Sequence, residues 1–133
     1  MRKSEESRAE RGGGEATRLA LIEAGLSCFG ESGFDATSTR SIAAAAKVNL
    51  AAIAYHFGGK DGLRQACAQH VAGTIRSVVE PVLAGSAAGA AGPDPATARR
   101  LLLALGGQTV HFLLAEERAG PMSRFMVREL VSP

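Results

Sequence analysis

Tryptophan is absent from this sequence of 133 residues, tyrosine occurs once and cysteine twice. A chain this poor in aromatic residues, yet rich in alanine and leucine, favours helices packed through small side chains over a sheet. Cys28 and Cys67 lie far apart, and neither belongs to a C-x-x-C pair, which argues against a disulfide or zinc framework. We therefore expect an all-α fold in which both cysteines are reduced thiols in or near the core.

Long apolar runs are also missing. No stretch approaches the roughly 18 apolar residues of a membrane span, and the charged, glycine-rich start lacks the apolar centre of a secretory signal. Hydrophobic residues still make up 46% of the chain, enough for a folded core. We expect a cytoplasmic protein with no membrane contact.

Signatures of catalysis are missing too. The glycines before Lys60 do not form G-x-x-x-x-G-K-[ST], and no nucleophile elbow is present. His70 and His111 lie in helical patterns without companion ligands at metal spacing. A small enzyme would require a convergent acid–base pair in a pocket, and none is recognisable. We expect no enzyme activity, no cofactor and no catalytic or metal site.

Apolar residues at helical spacing predict a first helix from Glu15 to Glu31. Its inward residues are Leu19, Ile22, Leu26 and Phe29. Gly33 follows, where a helix commonly stops in a left-handed turn. Residues 1–14 mix both signs of charge and have no apolar period, so we expect a mobile arm there.

Two short helices are predicted next, on either side of a tight turn. Ser38 or Thr39 can cap the first, and Asn49 can cap the second. Their expected core residues are Ile42, Val48, Ile53 and Phe57. Such a pair suits the major groove of DNA, because one helix rests on the backbone while the next presents its first side chains to base edges. The segment 38–57 is therefore a candidate helix-turn-helix.

Beyond this segment, the sequence predicts a long fourth helix from Lys60 to about Ala84 and a flexible linker over 85–95. A fifth helix capped by Asp94 and a sixth helix follow, with a break at Gly120 and Pro121. We expect three parts: the arm at 1–14, a DNA-binding domain at 15–75 and the start of a second helical domain at 76–133.

Basic residues are concentrated around the candidate helix-turn-helix. Between residues 37 and 79 the only acid is Asp61, while the whole chain has a net charge of +2. The basic residues of this stretch are Arg40, Lys47, Lys60, Arg64 and Arg76. A locally basic segment attracts phosphate, although a solvated helix face would have the same composition.

Four short stretches form a specific set: Gly33-Phe34-Asp35-Ala36-Thr37, Thr39-Arg40-Ser41-Ile42-Ala43, Val48-Asn49, and Tyr55-His56-Phe57-Gly58-Gly59-Lys60-Asp61-Gly62-Leu63. Together they resemble the N-terminal domain of TetR-family repressors, from about Ala16 to Cys67. The resemblance implies an all-α, three-helix DNA-binding domain, joined by the long fourth helix to a helical regulatory domain. It also implies a DNA-binding transcriptional regulator, a ligand-responsive repressor of nearby genes.

The resemblance also implies which residues meet DNA. Thr39 and Arg40 would contact phosphate, and the third helix from Leu50 to Tyr55 would lie in the major groove. The expected DNA-contacting residues are Thr37, Ser38, Thr39, Arg40, Lys47, Asn49, Leu50, Ala51, Ala52, Tyr55, His56 and Lys60. Hydroxyl, imidazole and ammonium donors are groups that bind phosphate oxygens.

The base-facing side of the third helix is plain. Leu50, Ala51 and Ala52 offer apolar contact to thymine methyl groups but no bidentate hydrogen bonds. Asn49 is the one amide nearby, and it is either a helix cap or a base contact. Specificity then rests on methyl contacts, on DNA shape or on residues at the end of the first helix.

Three positions depart from the family pattern. Lys47 stands where the family usually has glycine, which costs on the order of 1 kcal/mol if the backbone there is left-handed. Ala51 replaces a frequent glycine. Ala54 stands where a phosphate-binding tyrosine is usual, and Tyr55 can take part of that role.

Near its end the chain resembles the regulatory domain of a CecR-like subgroup of the family. The residues that carry this are Ser123-Arg124-Phe125, Arg128-Glu129 and Ser132-Pro133. In the family this domain continues through further helices that form a ligand pocket and a dimer interface, and we expect it to be incomplete here. The implied partners are a palindromic double-stranded DNA operator, an effector of unknown identity and, with a full regulatory domain, a second copy. The alternative is an all-α interaction module, a truncated relative that pairs with other subunits without controlling a gene.

Overall fold

A computed structural model describes residues 2–84, 92, 94–114 and 116–131. The helices are α1 (Arg2–Ser32), α2 (Thr39–Ala46), α3 (Ala51–Phe57), α4 (Lys60–Ala84), α5 (Pro95–Leu114) and α6 (Glu116–Val131). Within these ranges no strand occurs, which confirms the all-α fold. Among the helices of the described residues, none has the length and apolar character needed to cross a membrane.

α1 is longer than the sequence predicted, since it begins at Arg2 and not at Glu15. Residues 2–11 are mainly Arg, Lys, Glu, Ser and Ala, most of which propagate a helix well, and the helix continues through the three glycines that follow. It ends as predicted at Gly33, where φ is 81° and the N–H donates to the Phe29 carbonyl at 2.9 Å. Leu19, predicted to point inward, is 44% exposed, and Leu21 is buried instead.

The chain forms two compact units. The first comprises Met1–His70 and Pro121–Pro133. Its buried apolar side chains come from α1, α2, α3, α4 and α6, and the largest are Leu21, Phe29, Ile42, Ile53, Leu63 and Cys67. Burial raises the pKa of the Cys67 thiol to about 12, so this thiol stays protonated at neutral pH. Cys28 is only partly buried.

The last helix belongs to this first unit, although the sequence-based division assigned it to the second domain. Phe125 is buried, with its ring centroid 6.4 Å from that of Phe29. Arg128 donates from Nε to the Gly30 carbonyl at 2.8 Å and from Nη2 to the Glu31 carbonyl at 2.6 Å. The final carbonyls of a helix have no partner within it, so Arg128 caps the end of α1.

The second unit, Val71–Gly120, contains the later part of α4 and all of α5. α4 has the predicted bounds, and α5 begins where Asp94 accepts a hydrogen bond from the Thr97 N–H at 2.7 Å. Hydrogen bonds from Thr97 lower the pKa of Asp94. Of the predicted linker, residues 85–91 and 93 lie outside the described residues.

The predicted break at Gly120 and Pro121 is wrong, because α6 continues through both residues. A proline inside a helix removes one backbone donor and strains the turn before it. The segment after Pro121 is anchored by Phe125 and Arg128, and these contacts offset that cost.

Candidate nucleic-acid interface

The tight turn between α2 and α3 is built on Lys47. Its φ and ψ are 56° and 42°, the left-handed region that glycine adopts most easily. Its N–H donates to the Ala44 carbonyl at 3.1 Å, and the Val48 N–H donates to the Ala43 carbonyl at 3.0 Å. These bonds close the end of α2 and turn the chain sharply into α3. The left-handed backbone that the sequence analysis considered at position 47 is therefore present.

The start of α2 is capped by Ser38, in extended backbone with φ −97° and ψ 150°. Its Oγ accepts a hydrogen bond from the Ser41 N–H at 3.1 Å. This is the geometry in which a serine side chain satisfies a free donor of the first turn. Of the two caps considered from the sequence, Ser38 is the one observed, and Thr39 is the first helical residue.

Most of the predicted contact residues reach the surface on α2, on α3 or next to them in the chain. The exposed ones are Ser38, Arg40, Lys47, Asn49, Leu50, Ala51 and Tyr55, while Thr39, Ala52, His56 and Lys60 are partly exposed. Tyr55 is 84% exposed. An exposed tyrosine offers both a flat ring and a hydroxyl donor to a partner.

Thr37 does not belong to this set. Its side chain is 4% exposed, and its hydroxyl lies 2.6 Å from the Gly33 carbonyl and 3.1 Å from the Cys28 carbonyl. The hydroxyl thus fastens the loop between α1 and α2 to the end of α1. The prediction that Thr37 contacts DNA is replaced by this role, because a buried side chain that donates inward is closed to a partner.

Asn49 acts as the cap of α3. Its Oδ1 accepts a hydrogen bond from the Ala51 N–H at 2.9 Å. The expected helix cap is therefore observed, and contact of Asn49 with a base stays a prediction. The core residues Ile42 and Ile53 are buried as predicted, whereas Val48 and Phe57 are partly exposed.

The end of α3 lies beside α1. A Cβ placed on Gly14 would be 3.9 Å from Cε1 of His56, and the Arg18 guanidinium lies 5.4 Å from the centroid of the Phe57 ring. The rings of Tyr55 and His56 meet edge to face, with centroids 4.9 Å apart. Residues of α1 therefore lie beside the end of α3.

Lys60, at the start of α4, is held by an aromatic ring. Its Nζ lies 4.2 Å from the centroid of Phe34, and the Arg64 guanidinium lies 4.8 Å from the same centroid. Arg64 also donates from Nε to both carboxylate oxygens of Glu129, at 2.9 and 3.1 Å. The hydrogen bond to Glu129 raises the pKa of Arg64. The contacts connect α6 through Arg64 and Phe34 to a lysine expected to bind phosphate.

Comparison with known families decides the identity of this helical domain. Residues 21–67 match the family model described as "Bacterial regulatory proteins, tetR family". Residues 21–67 form a domain of the TetR family. This confirms the resemblance read from the sequence, and the match spans α2, the turn at Lys47, α3 and the start of α4.

Curated transcriptional regulators are also similar to this chain. The chain is 39% identical over 122 residues to the HTH-type transcriptional dual regulator CecR of Shigella flexneri, covering 90% of this chain and 54% of that protein. It is 47% identical over 57 residues to RaaS, an HTH-type transcriptional regulatory protein of Mycobacterium tuberculosis, covering 43% of this chain and 26% of the relative. The chain thus spans about half the length of CecR and a smaller share of RaaS.

Two residues of this TetR-family domain were missed by the sequence reasoning. Phe34 was read only as part of a motif, yet its ring contacts two cations of α4. Arg18 lies on α1, outside the segment 37–79 in which basic residues were considered, and it borders α3. The one sequence signal for Phe34 was its position directly after Gly33, the glycine that ends α1. Nothing in the sequence singled out Arg18.

Proposed function

We propose that this chain is a DNA-binding transcriptional regulator whose helix-turn-helix at 38–57 binds a palindromic operator. The observation that carries the proposal is the surface formed by α2, α3 and the start of α4. From residue 37 to residue 60 the chain has no acidic residue, while Arg40 and Lys47 are exposed and Lys60 is partly exposed. A cationic surface that includes a short, largely exposed helix is suited to phosphates on both sides of a major groove.

The control that we propose is repression of nearby genes, relieved by a small-molecule effector. This part rests on the TetR-family domain and goes beyond the geometry of the described residues. The relative CecR is named a dual regulator, so activation at some promoters is the competing mode. Because the proposed partner is DNA, the protein would act in the bacterial cytoplasm.

The proposed assembly is a homodimer. A palindrome presents two half-sites, and two recognition helices must lie about 34 Å apart to enter successive major grooves. One copy alone would make half of the contacts and bind mainly through phosphates. The chain spans about half the length of CecR, so the dimer-forming part is proposed from the family.

A second candidate is a protein-pairing module. α5 exposes several large apolar side chains, namely Leu102, Leu103, Val110 and Leu114, and such residues are common where one subunit meets another. Pairing through α5 is compatible with DNA binding by α3. The second candidate becomes the better one only if the chain has no affinity for DNA.

The test is a selection of preferred sites from random duplexes, followed by anisotropy titrations. The dissociation constant for the selected duplex is compared with that for a scrambled duplex of equal length and composition at one salt concentration. We expect the selected duplex to bind at least roughly tenfold more tightly. Equal affinities would reject sequence-preferring regulation, and no binding to either duplex would favour the pairing module.

A further inference from the structure

The exposed face of α3 is almost entirely apolar. Leu50, which precedes the helix, is 42% exposed, and Ala51, Ala54 and Tyr55 are exposed as well. Positions 50 and 54, and positions 51 and 55, are spaced by four residues and so share one side of the helix. Ile53 points away from this side into the core. The face has one polar group, the hydroxyl of Tyr55.

This composition limits how the face can read a base pair. Bidentate recognition of guanine or adenine requires Arg, Lys, Asn or Gln, and the four residues of the face include none of these. Asn49, the nearest amide, already uses its Oδ1 to cap Ala51. What remains in the major groove for an apolar side chain is the 5-methyl group of thymine.

The surroundings of the face identify its occupant. Arg40, Lys47 and Lys60 carry positive charge near α3, and residues 37–60 contain no acid. An apolar strip in a segment that carries only basic charges suits a DNA groove, where phosphates flank base edges that carry methyl groups. A partner protein with an apolar patch would not require these neighbouring positive charges.

We infer that Leu50 and Ala51 recognise thymine through its 5-methyl group, so that each preferred half-site contains thymines that are selected by apolar contact. The inference rests on the proposed function and specifies which bases the same surface recognises. Alanine at 51 and 54 leaves room for a methyl group to approach the helix closely, and Leu50 supplies the larger apolar surface.

The experiment replaces each thymine of the selected duplex, one at a time, by deoxyuridine. This removes the methyl group and keeps the base-pairing groups. We expect the dissociation constant to rise about fourfold at one or two thymines of each half-site, the size expected for one methyl group withdrawn from apolar contact. In the Leu50→Ala variant, at least one of these thymines should become indistinguishable from deoxyuridine.

The matched control is Leu19→Ala, because Leu19 on α1 is 44% exposed, close to the exposure of Leu50. This variant should keep the full effect of deoxyuridine. If the selected duplex binds preferentially but no replacement changes its affinity, the inference is overturned and the proposed function stands. An effect that persists in both Leu50→Ala and Ala51→Gly also overturns it, since another residue would then read the methyl group. Equal binding to selected and scrambled duplexes would reject the proposed function itself.

Discussion

Lys47 combines a conformational cost with an expected electrostatic benefit. A side chain in the left-handed region brings its Cβ close to the following carbonyl, a cost of about 1 kcal/mol that glycine avoids. At the same time, the exposed ammonium of Lys47 adds to the cationic surface around α3. The residue at the turn is thus expected to favour DNA binding over the stability of the fold.

Replacing Lys47 tests directly whether its side chain lowers the stability of the fold. We expect Lys47→Gly to raise the free energy of unfolding by about 1 kcal/mol, because glycine adopts this backbone without steric cost. Urea denaturation measures the change, and Lys47→Ala is the control, since alanine keeps the Cβ and should give no such gain. Equal stability of the glycine and alanine variants would show that the left-handed turn stores no strain.

At the scale of the elements, the contact of α6 with α1 depends on a residue without a side chain. A Cβ on Gly30 would lie 3.1 Å from Cβ of Arg124, 3.2 Å from the Phe125 nitrogen and 3.3 Å from the Pro121 carbonyl oxygen. Two of these three atoms belong to the backbone of α6, so the helix itself would have to move. Gly30 therefore allows α6 to lie close enough for Phe125 to be buried and for Arg128 to cap α1.

We expect Gly30→Ala to lower the free energy of unfolding by about 1–2 kcal/mol, since crowding outweighs the better helix propensity of alanine. The matched control on the same helix is Gly13→Ala, where an added Cβ meets nothing within 4 Å. That variant should gain up to about 1 kcal/mol. Both are measured by urea denaturation, and a gain for Gly30→Ala would contradict the packing of α6 against α1.

The elements that could be predicted from the sequence are those governed by local chemistry. The caps at Ser38, Asn49 and Asp94 and the left-handed stop at Gly33 are signalled by the residue itself and its close neighbours, and all four are observed. The start of α4 followed in the same way from the glycines before it, and its end from the linker composition that begins at Gly85. Short-range signals of this kind also located the helix-turn-helix.

What the sequence did not predict depends on contacts between distant residues. The helix expected to break at Pro121 continues, because Phe125 and Arg128 are held by α1. No local sequence pattern indicates a contact with residues so distant in the chain. The exposure of Leu19 in place of Leu21 has a similar cause, since partner helices decide which side of α1 is covered. At the site, the burial of Thr37 could not be read from its position beside Ser38.

At the scale of the whole molecule, we expect the surface around α2, α3 and the start of α4 to bind the DNA backbone. Each phosphate neutralised by a cationic side chain releases condensed counterions, so the logarithm of affinity falls with the logarithm of salt concentration by about 0.9 per contact. The slope therefore counts contacts independently of which bases are read. The same measurement counts contacts for a monomer or a dimer, provided that the slopes are compared per subunit.

The most direct measurement is the salt dependence of DNA affinity for the wild-type chain, Arg40→Ala and Lys60→Ala, with Arg76→Ala as the control. Arg76 is exposed further along α4, away from the helix-turn-helix in sequence. We predict that Arg40→Ala and Lys60→Ala each lower the magnitude of the slope by about 0.9 per subunit on every duplex, and that Arg76→Ala leaves it unchanged. Unchanged slopes for both Arg40→Ala and Lys60→Ala would rule out DNA binding by this surface, because neither cation would then neutralise a phosphate.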